Sequence, residues 1–381
     1  MRIAIDAREL SGRATGVGRY VAELLRAWDT MPGALTHEFV LCAAGSITTP
    51  PTTRLRVTVA TAEGSGPWWE QRVLPRLVRR TGADVLFAPA YSGPLFPGVP
   101  MVVTVHDVSF AAHPEWFAPK EGFRRRLTTR LAVRRARRVL TVSGFSKREI
   151  VRCFGIDPAK VDVVYSGATP FPGVAAEGGS EDPQPTATLA AQGAPGGPQP
   201  RTARVLFVGS VFARRHVPEL IEGFSRLAHR RPEVTLDIVG DNRSRPAVDL
   251  AALVHAANVD GRIRLRDYVS DAELAALYSG ATAFAFLSEY EGFGLTPLDA
   301  LAAGVPIVVL DTEVAREIYG PAAIYVPSPD PALVEAALEA VIFDPAARAS
   351  VLDAAPAVLE RYSWHESAQR TLQALLAAAG R

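Results

Sequence analysis

Short runs of consecutive apolar residues alternate along this chain with longer stretches whose apolar positions recur every three or four residues. Residues 2–5 predict a strand, and residues 18–28, with Tyr20, Val21, Leu24 and Leu25 at helical spacing, predict the helix after it. Residues 85–88, 102–105 and 139–142 are compact apolar runs that suit a parallel sheet covered on both faces. Ser146 and Glu149 stand at capping-box spacing and predict the start of the helix after the third run. A second series then repeats the pattern. Residues 205–208, 236–239, 263–265, 281–287 and 306–310 read as strands, residues 220–227 as a helix, and Ser270 with Glu273 as another capping box. Ser363 and Glu366 form a third box, opening a helix that runs to about residue 379.

Between the two series, residues 170–200 consist mostly of Pro, Gly, Ala and Gln with few large apolar side chains, which predicts a linker or loop. Strand and helix alternating in two halves predict an α/β chain of two doubly wound domains. The boundaries fall at 1–169 and 204–363, with a linker over 170–203 and a C-terminal helix over 364–381. Open parallel sheets bind ligands beyond the carboxyl ends of their strands, so the site is expected in the cleft between the halves.

A hydrophobic content of 48% with 21% charge is ample for two cores. A net charge of +1 argues against a general nucleic-acid binder. Cys42 and Cys153 give neither a disulfide framework nor a metal pattern and fit a reducing compartment. The chain opens directly on a strand with no basic, apolar and cleavage signal, and no run approaches about eighteen apolar residues. A cytoplasmic protein is expected. One local charge feature stands out: eight arginines lie between Arg124 and Arg138, with Leu127, Leu131 and Val133 among them. They suit either a solvated helix face or a basic amphipathic helix that meets anionic lipid headgroups. Stacking aromatics are not interleaved with them, so nucleic acid is not the expected partner. Trp116 and Phe117, just upstream, suit the lining of an acceptor or interfacial pocket.

The most informative stretch is 288–304, which places Glu291 and Asp299 eight residues apart across a glycine turn and the start of a helix. Thr296 reads as its N-cap, Pro297 as its first residue, and Leu298, Leu301 and Ala302 as its apolar face. A strand, a glycine turn and a helix N-terminus aim free N–H groups and the helix dipole at a phosphate. Asp299, three residues after Thr296, also suits the acidic partner of a cap, and Glu291 a solvated loop acid.

This stretch resembles the Glu-x7-Glu signature of glycosyltransferase family 4, retaining enzymes whose two facing Rossmann-like domains form the GT-B fold. Here Asp299 stands where the family usually shows a second Glu. Thr15-Gly-Val-Gly-Arg19 lacks the third glycine of a dinucleotide fingerprint. It resembles the family's Gly-rich turn, although a plain tight turn fits it too. Val105-His106-Asp107 resembles a His-Asp pair whose His lies near the donor sugar. The family's turn after the first strand of the second domain carries an Arg-Lys-Asn triplet that grips the diphosphate. Here that triplet reads Arg214-Arg215-His216, and two adjacent guanidinium groups still suit phosphate oxygens. Residues 266–269 are a weaker match to a base-contacting turn.

The resemblance spans nearly the whole chain apart from 170–203 and is nearest to the branch with mannosyltransferases of surface-polysaccharide assembly. It implies a retaining hexosyltransferase with a nucleotide-diphosphate sugar, GDP-mannose, as donor and a glycan or lipid-linked saccharide as acceptor. His106, Arg214, Arg215 and Glu291 are the implied catalytic residues. Gly16, Gly18, Ser210, Tyr268, Gly292, Phe293, Gly294, Leu295, Thr296 and Asp299 are the implied donor-binding residues, with Asp299 on the ribose diol. Neither a cofactor nor a metal is expected, since no Asp-x-Asp occurs in the chain. A sugar-nucleotide epimerase on the same fold and a catalytically silent sugar-nucleotide binder are the alternatives.

Overall fold

A computed structural model describes residues 1–12, 16–168, 203–259 and 261–380. The expected linker up to residue 202, and Thr15 of the Gly-rich turn, lie outside the described residues, whereas Ala203, expected in the linker, opens a strand. The first sheet has seven parallel strands: β1 (Arg2–Asp6), β2 (Glu38–Ala43), β3 (Arg56–Thr61), β4 (Val85–Ala88), β5 (Met101–Thr104), β6 (Arg138–Thr141) and β7 (Val161–Val163), in the order β3-β2-β1-β4-β5-β6-β7. The second has six: β8 (Ala203–Val208), β9 (Val234–Val239), β10 (Ile263–Arg266), β11 (Ala283–Phe286), β12 (Ile307–Leu310) and β13 (Ile324–Val326), in the order β10-β9-β8-β11-β12-β13. Strand order reverses between β1 and β4 in one sheet and between β8 and β11 in the other. Crevices for ligands open at such switch points.

Alternation along β1 shows how the first sheet is covered. Ile3 and Ile5 face a cluster with Tyr20, Leu24 and Trp28 of helix α1 (Gly16–Thr30), while Ala4 faces the opposite cluster with Val78 and Val133. The chain's last helix completes the first of these cores. It runs over Trp364–Ala378, and its Leu372 and Leu375 join that cluster; Trp28 Nε1 donates to the Ala368 carbonyl at 2.9 Å. The helix therefore crosses back from the second domain to the first.

Two expected helix starts are corrected. Helix α2 (Pro119–Arg135) precedes β6, and helix α3 (Gly144–Phe154) follows it; α3 is capped by Ser143, whose hydroxyl accepts from Ser146 N. The Ser146/Glu149 spacing is therefore not a cap, because the chain already turns into helix three residues earlier. Ser146 instead donates its hydroxyl to the carbonyls of His106 and Gly292, one in each domain. Likewise, helix α4 (Leu295–Ala302) starts before Thr296. Gly294 at φ 94° takes the N-cap position, and no side chain caps it. The left-handed turn that only glycine adopts without strain sets the boundary here, ahead of the better capping residue. The box at Ser270 and Glu273 forms with both of its hydrogen bonds.

Of the eight arginines, six lie on α2, Arg137 follows it and Arg138 lies in β6. Some are tied down: Arg125 pairs with Glu121, Arg135 Nε donates to the Leu95 carbonyl and Arg138 Nε to Asp162 at 2.8 Å. Among the described residues no helix is long and apolar enough to cross a membrane.

Candidate active site

The switch point of the second sheet collects the basic turn after β8 and the acidic turn after β11. Arg215 Nε donates to Glu291 Oε1 at 2.8 Å, and its Nη1 to the Ser210 carbonyl at 2.9 Å. Arg214 Nε donates to the Tyr290 carbonyl at 3.1 Å. Both guanidinium groups lie over aromatic rings, Arg214 over Phe212 at 4.3 Å and Arg215 over Phe286 at 4.9 Å, which fixes their planes. Ser288 adds a hydrogen bond to Glu291 at 2.9 Å. Burial alone would raise the Glu291 carboxyl, but the charges of Arg215 and Arg214 outweigh it and hold the group below its usual range. Glu291 is therefore ionised.

The first domain presents the turn after β5 to this cluster. Asp107 accepts from Ser109 N and Oγ at 2.8 and 2.7 Å and from the Tyr91 hydroxyl at 2.9 Å. Burial would raise its carboxyl too; the Arg214 charge across the cleft, with those hydrogen bonds, lowers it instead. Tyr91 holds φ at +65°, a backbone conformation uncommon for a non-glycine residue and often found at functional sites. His106 Nε2 lies 2.8 Å from the Pro89 carbonyl, and burial lowers its pKa, so the ring is neutral with Nε2 as donor. Tyr20 and Tyr91 hold the ring edge-on at 4.9 and 5.5 Å.

The two turns touch. A Cβ on Gly292 would fall 2.0 Å from the His106 carbonyl oxygen. On Gly294 it would fall 1.9 Å from the Tyr319 hydroxyl, which donates to the Gly294 carbonyl at 3.0 Å. Helix α5 (Glu313–Tyr319) adds Glu317, whose carboxylate accepts from Gly144 N and Phe145 N at 2.6 and 2.8 Å, at the start of α3 in the other domain. Asp299 is fully buried at 0% exposure and takes the fork of Arg19 from α1: Nη1 to Oδ2 at 2.5 Å and Nη2 to Oδ1 at 2.9 Å.

Sequence-expected residues thus fall into four groups. His106, Arg214, Arg215, Glu291, Gly292 and Gly294 converge, with Ser210 beneath Arg215. Gly16 and Gly18 form the first turn of α1, beside Arg19. Leu295 packs against the cores of both domains, while Phe293 is buried in the aromatic cluster of Tyr165 and Tyr362. Thr296 accepts through its carbonyl from the Tyr278 hydroxyl at 3.2 Å. Tyr268 is half exposed and follows Asp267 in sequence, which lines a cavity of about 240 Å³ beyond β9 and β10 together with Ile238, Gly240, Val248, Leu250 and Leu265. Arg19, Asp107, Tyr91 and Ser146 were not expected as site residues. Arg19 and Asp107 stand inside quoted motifs, but Asp299, which pairs with Arg19, and Arg214, whose charge acts on Asp107, lie in the other domain.

Residues 14–170 match the model of "Glycosyltransferase Family 4", and residues 194–357 match that of "Glycosyl transferases group 1". The two domains belong to these two glycosyltransferase families, and their arrangement is the GT-B fold. The chain is 29% identical over 297 residues to a glycogen synthase of Mycobacterium tuberculosis, covering 76% of this chain and 66% of that protein. It is 28% identical over 277 residues to the O-antigen chain mannosyltransferase B of Escherichia coli, covering 72% and 69%. The match thus spans about two thirds of the length of these relatives. Among solved structures, Anabaena HepE in complex with UDP-glucose superposes with a TM-score of 0.72 at 17% identity, covering 99% of this chain and 100% of that one.

Proposed function

We propose that this chain is a retaining glycosyltransferase that moves a hexose, mannose, from GDP-mannose to a glycan or lipid-linked saccharide in polysaccharide synthesis. The observation that carries the reading is the convergence of Arg214, Arg215 and Glu291 at the β8–β11 switch point, directly opposite His106 and Asp107. A similarity to an O-antigen mannosyltransferase and to a fold neighbour that holds UDP-glucose supports it.

In this reading the C1–O bond breaks with negative charge building on the diphosphate. Arg214, Arg215 and the amides at the start of α4 stabilise that charge, and their fixed orientation means that little reorganisation is needed as the bond breaks. Glu291 orients Arg215 and holds hydroxyls of the donor sugar. Neutral His106, a hydrogen-bonding group without a charge to repel the forming oxocarbenium centre, meets the sugar from the first domain. The acceptor attacks on the leaving-group face, and a phosphate oxygen takes its proton, so neither an enzymic nucleophile nor a metal is required. The base occupies the cavity beyond β9 and β10. The acceptor lies against the first domain near Trp116, and helix α2 rests on the anionic inner face of the cell membrane.

The test is a panel of nucleotide sugars with and without saccharide acceptors, read by nucleotide release and by the anomeric configuration of the product. Release that depends on acceptor, with retention and with EDTA present, is expected. Conversion of the donor sugar without acceptor would identify an epimerase instead, and donor binding without turnover on any acceptor would identify a silent binder.

A further inference from the structure

The second carboxylate of the Glu-x7-Asp pair is buried rather than open to the cleft. Asp299 has no exposed surface, whereas the Arg19 guanidinium that it grips keeps 25% of its side chain exposed. The two residues lie in different domains, 280 positions apart in the sequence. Each stands in the first turns of a helix whose start faces the other domain: Arg19 in α1, three residues after Gly16, and Asp299 in α4, five residues after Gly294. A bidentate fork fixes both the position and the plane of a guanidinium, which a single contact does not. The first carboxylate of the pair is used in the same way, since Glu291 grips Arg215. The two signature carboxylates thus each orient one arginine, Arg215 from the second domain and Arg19 from the first.

We propose that Asp299 acts on the donor through Arg19: the buried carboxylate is a positioning residue, and Arg19 is the group that meets the donor's diphosphate and ribose from the first domain. The inference rests on the nucleotide-sugar reading above. It differs from a direct ribose contact by Asp299, for which the arginine fork would have to leave and a fully buried carboxylate would have to become accessible. Aspartate suits the role through its length: one methylene shorter than glutamate, it leaves room for a guanidinium between the carboxylate and the cleft.

The experiment measures binding of GDP and of 2′,3′-dideoxy-GDP to the full-length chain by calorimetry. UDP or ADP and its dideoxy analogue replace them if the wild type binds that nucleotide more tightly. The variants are Arg19→Met, Arg19→Lys, Asp299→Asn and the double Arg19→Met/Asp299→Asn. Arg19→Met and Asp299→Asn should each weaken GDP binding by about tenfold or more, the size of one hydrogen bond to a charged group. The double variant should bind no more weakly than Arg19→Met, because the carboxylate has no effect once the arginine is gone. Arg19→Lys should recover part of the loss, and any loss of discrimination against the dideoxy nucleotide in Asp299→Asn should be matched in Arg19→Met. If Arg19→Met does not fold with its buried carboxylate unpaired, the double variant, which removes both charges, carries the test; wild-type affinity there overturns the proposal. Loss of dideoxy discrimination in Asp299→Asn, with Arg19→Met unaffected, also overturns it and places the ribose on Asp299. A wild-type chain that binds none of the three nucleotides overturns the donor reading itself, and this role with it.

Discussion

Glu291 Oε1 accepts from Arg215 Nε at 2.8 Å, so the acid that opens the signature and the second arginine of the basic turn form one unit. Removing either leaves the other, mostly buried, with a changed charge environment. Arg215→Ala should therefore lower kcat/KM by about 10²-fold or more, the usual loss for one electrostatic donor aimed at a leaving group. Wild-type kinetics in this variant would move the phosphate clamp elsewhere. Glu291→Gln keeps the shape but gives up the charge that fixes the arginine, and should lose activity too, with a smaller effect on nucleotide binding.

The contact between Gly292 and His106 gives a second prediction. A methyl group at 292 has 2.0 Å to the His106 carbonyl, so one of the two domains must move away. The obstruction is backbone, which cannot rotate aside. Gly292→Ala should keep each domain folded yet separate the two turns. We expect kcat to fall by at least tenfold, roughly the effect of a displacement of about 1 Å on an aligned site. A small increase in the radius of gyration by X-ray scattering should accompany it. Full activity with unchanged scattering would show that the approach is not needed for turnover.

Much of this was legible in the sequence, and what was not has a common cause. The strands of both sheets stand out where they are buried on both faces, as in β4, β5 and β12, because a continuous apolar run has no competing pattern there. Four strands were missed: β7 and β13 span only three residues each, β3 is a mostly exposed edge strand that is not an apolar run, and β2 was passed over although it is buried. Arg214, Arg215, His106 and Glu291 could be named because each sits in a local motif. Ser146 was misread as a cap because spacing alone cannot reveal that Ser143 already holds that place. The pairing of Arg19 with Asp299, and the Asp107 carboxylate facing Arg214, depend on how two domains meet. Neither local propensity nor periodicity carries that information.

His216 provides a pH test. It lies between Glu219, 3.4 Å away, and Glu289, 3.5 Å away, at φ +49° directly after the two arginines. Burial pulls its pKa down, but the hydrogen bond and charge of Glu219 and the charge of Glu289 outweigh it, and the net shift is upward from 6.5. A group whose folded pKa is raised binds its proton more tightly in the folded state. Its stabilisation is complete below 6.5 and is lost as pH rises through the higher folded value. The melting temperature of wild type minus that of His216→Asn should therefore be largest on the acid side and shrink as pH rises through that window. A constant difference, or one that grows toward alkaline pH, would show that the imidazolium pairs do not contribute.

The last prediction concerns helix α2, where the structure adds to what the arginine count suggests. Phe123 is 61% exposed and Leu127 45%, one turn apart on a face that also carries exposed Arg124, Arg130 and Arg134. Large apolar side chains left in water beside unscreened basic charge suit the boundary between lipid headgroups and acyl chains better than bulk solvent. The wild-type chain should sediment with vesicles rich in phosphatidylglycerol and not with neutral phosphatidylcholine vesicles. That binding should weaken as salt screens the charges. Replacing Arg124, Arg130 and Arg134 by Gln removes three charges at about 1 kcal/mol each, so partitioning should fall on the order of a hundredfold. Phe123→Ser with Leu127→Ser should weaken binding with less effect on its salt dependence. All five side chains are at the surface, so melting temperature and turnover on a soluble acceptor should be unchanged in these variants. Equal binding to neutral and anionic vesicles, or to neither, would leave α2 as a solvated face.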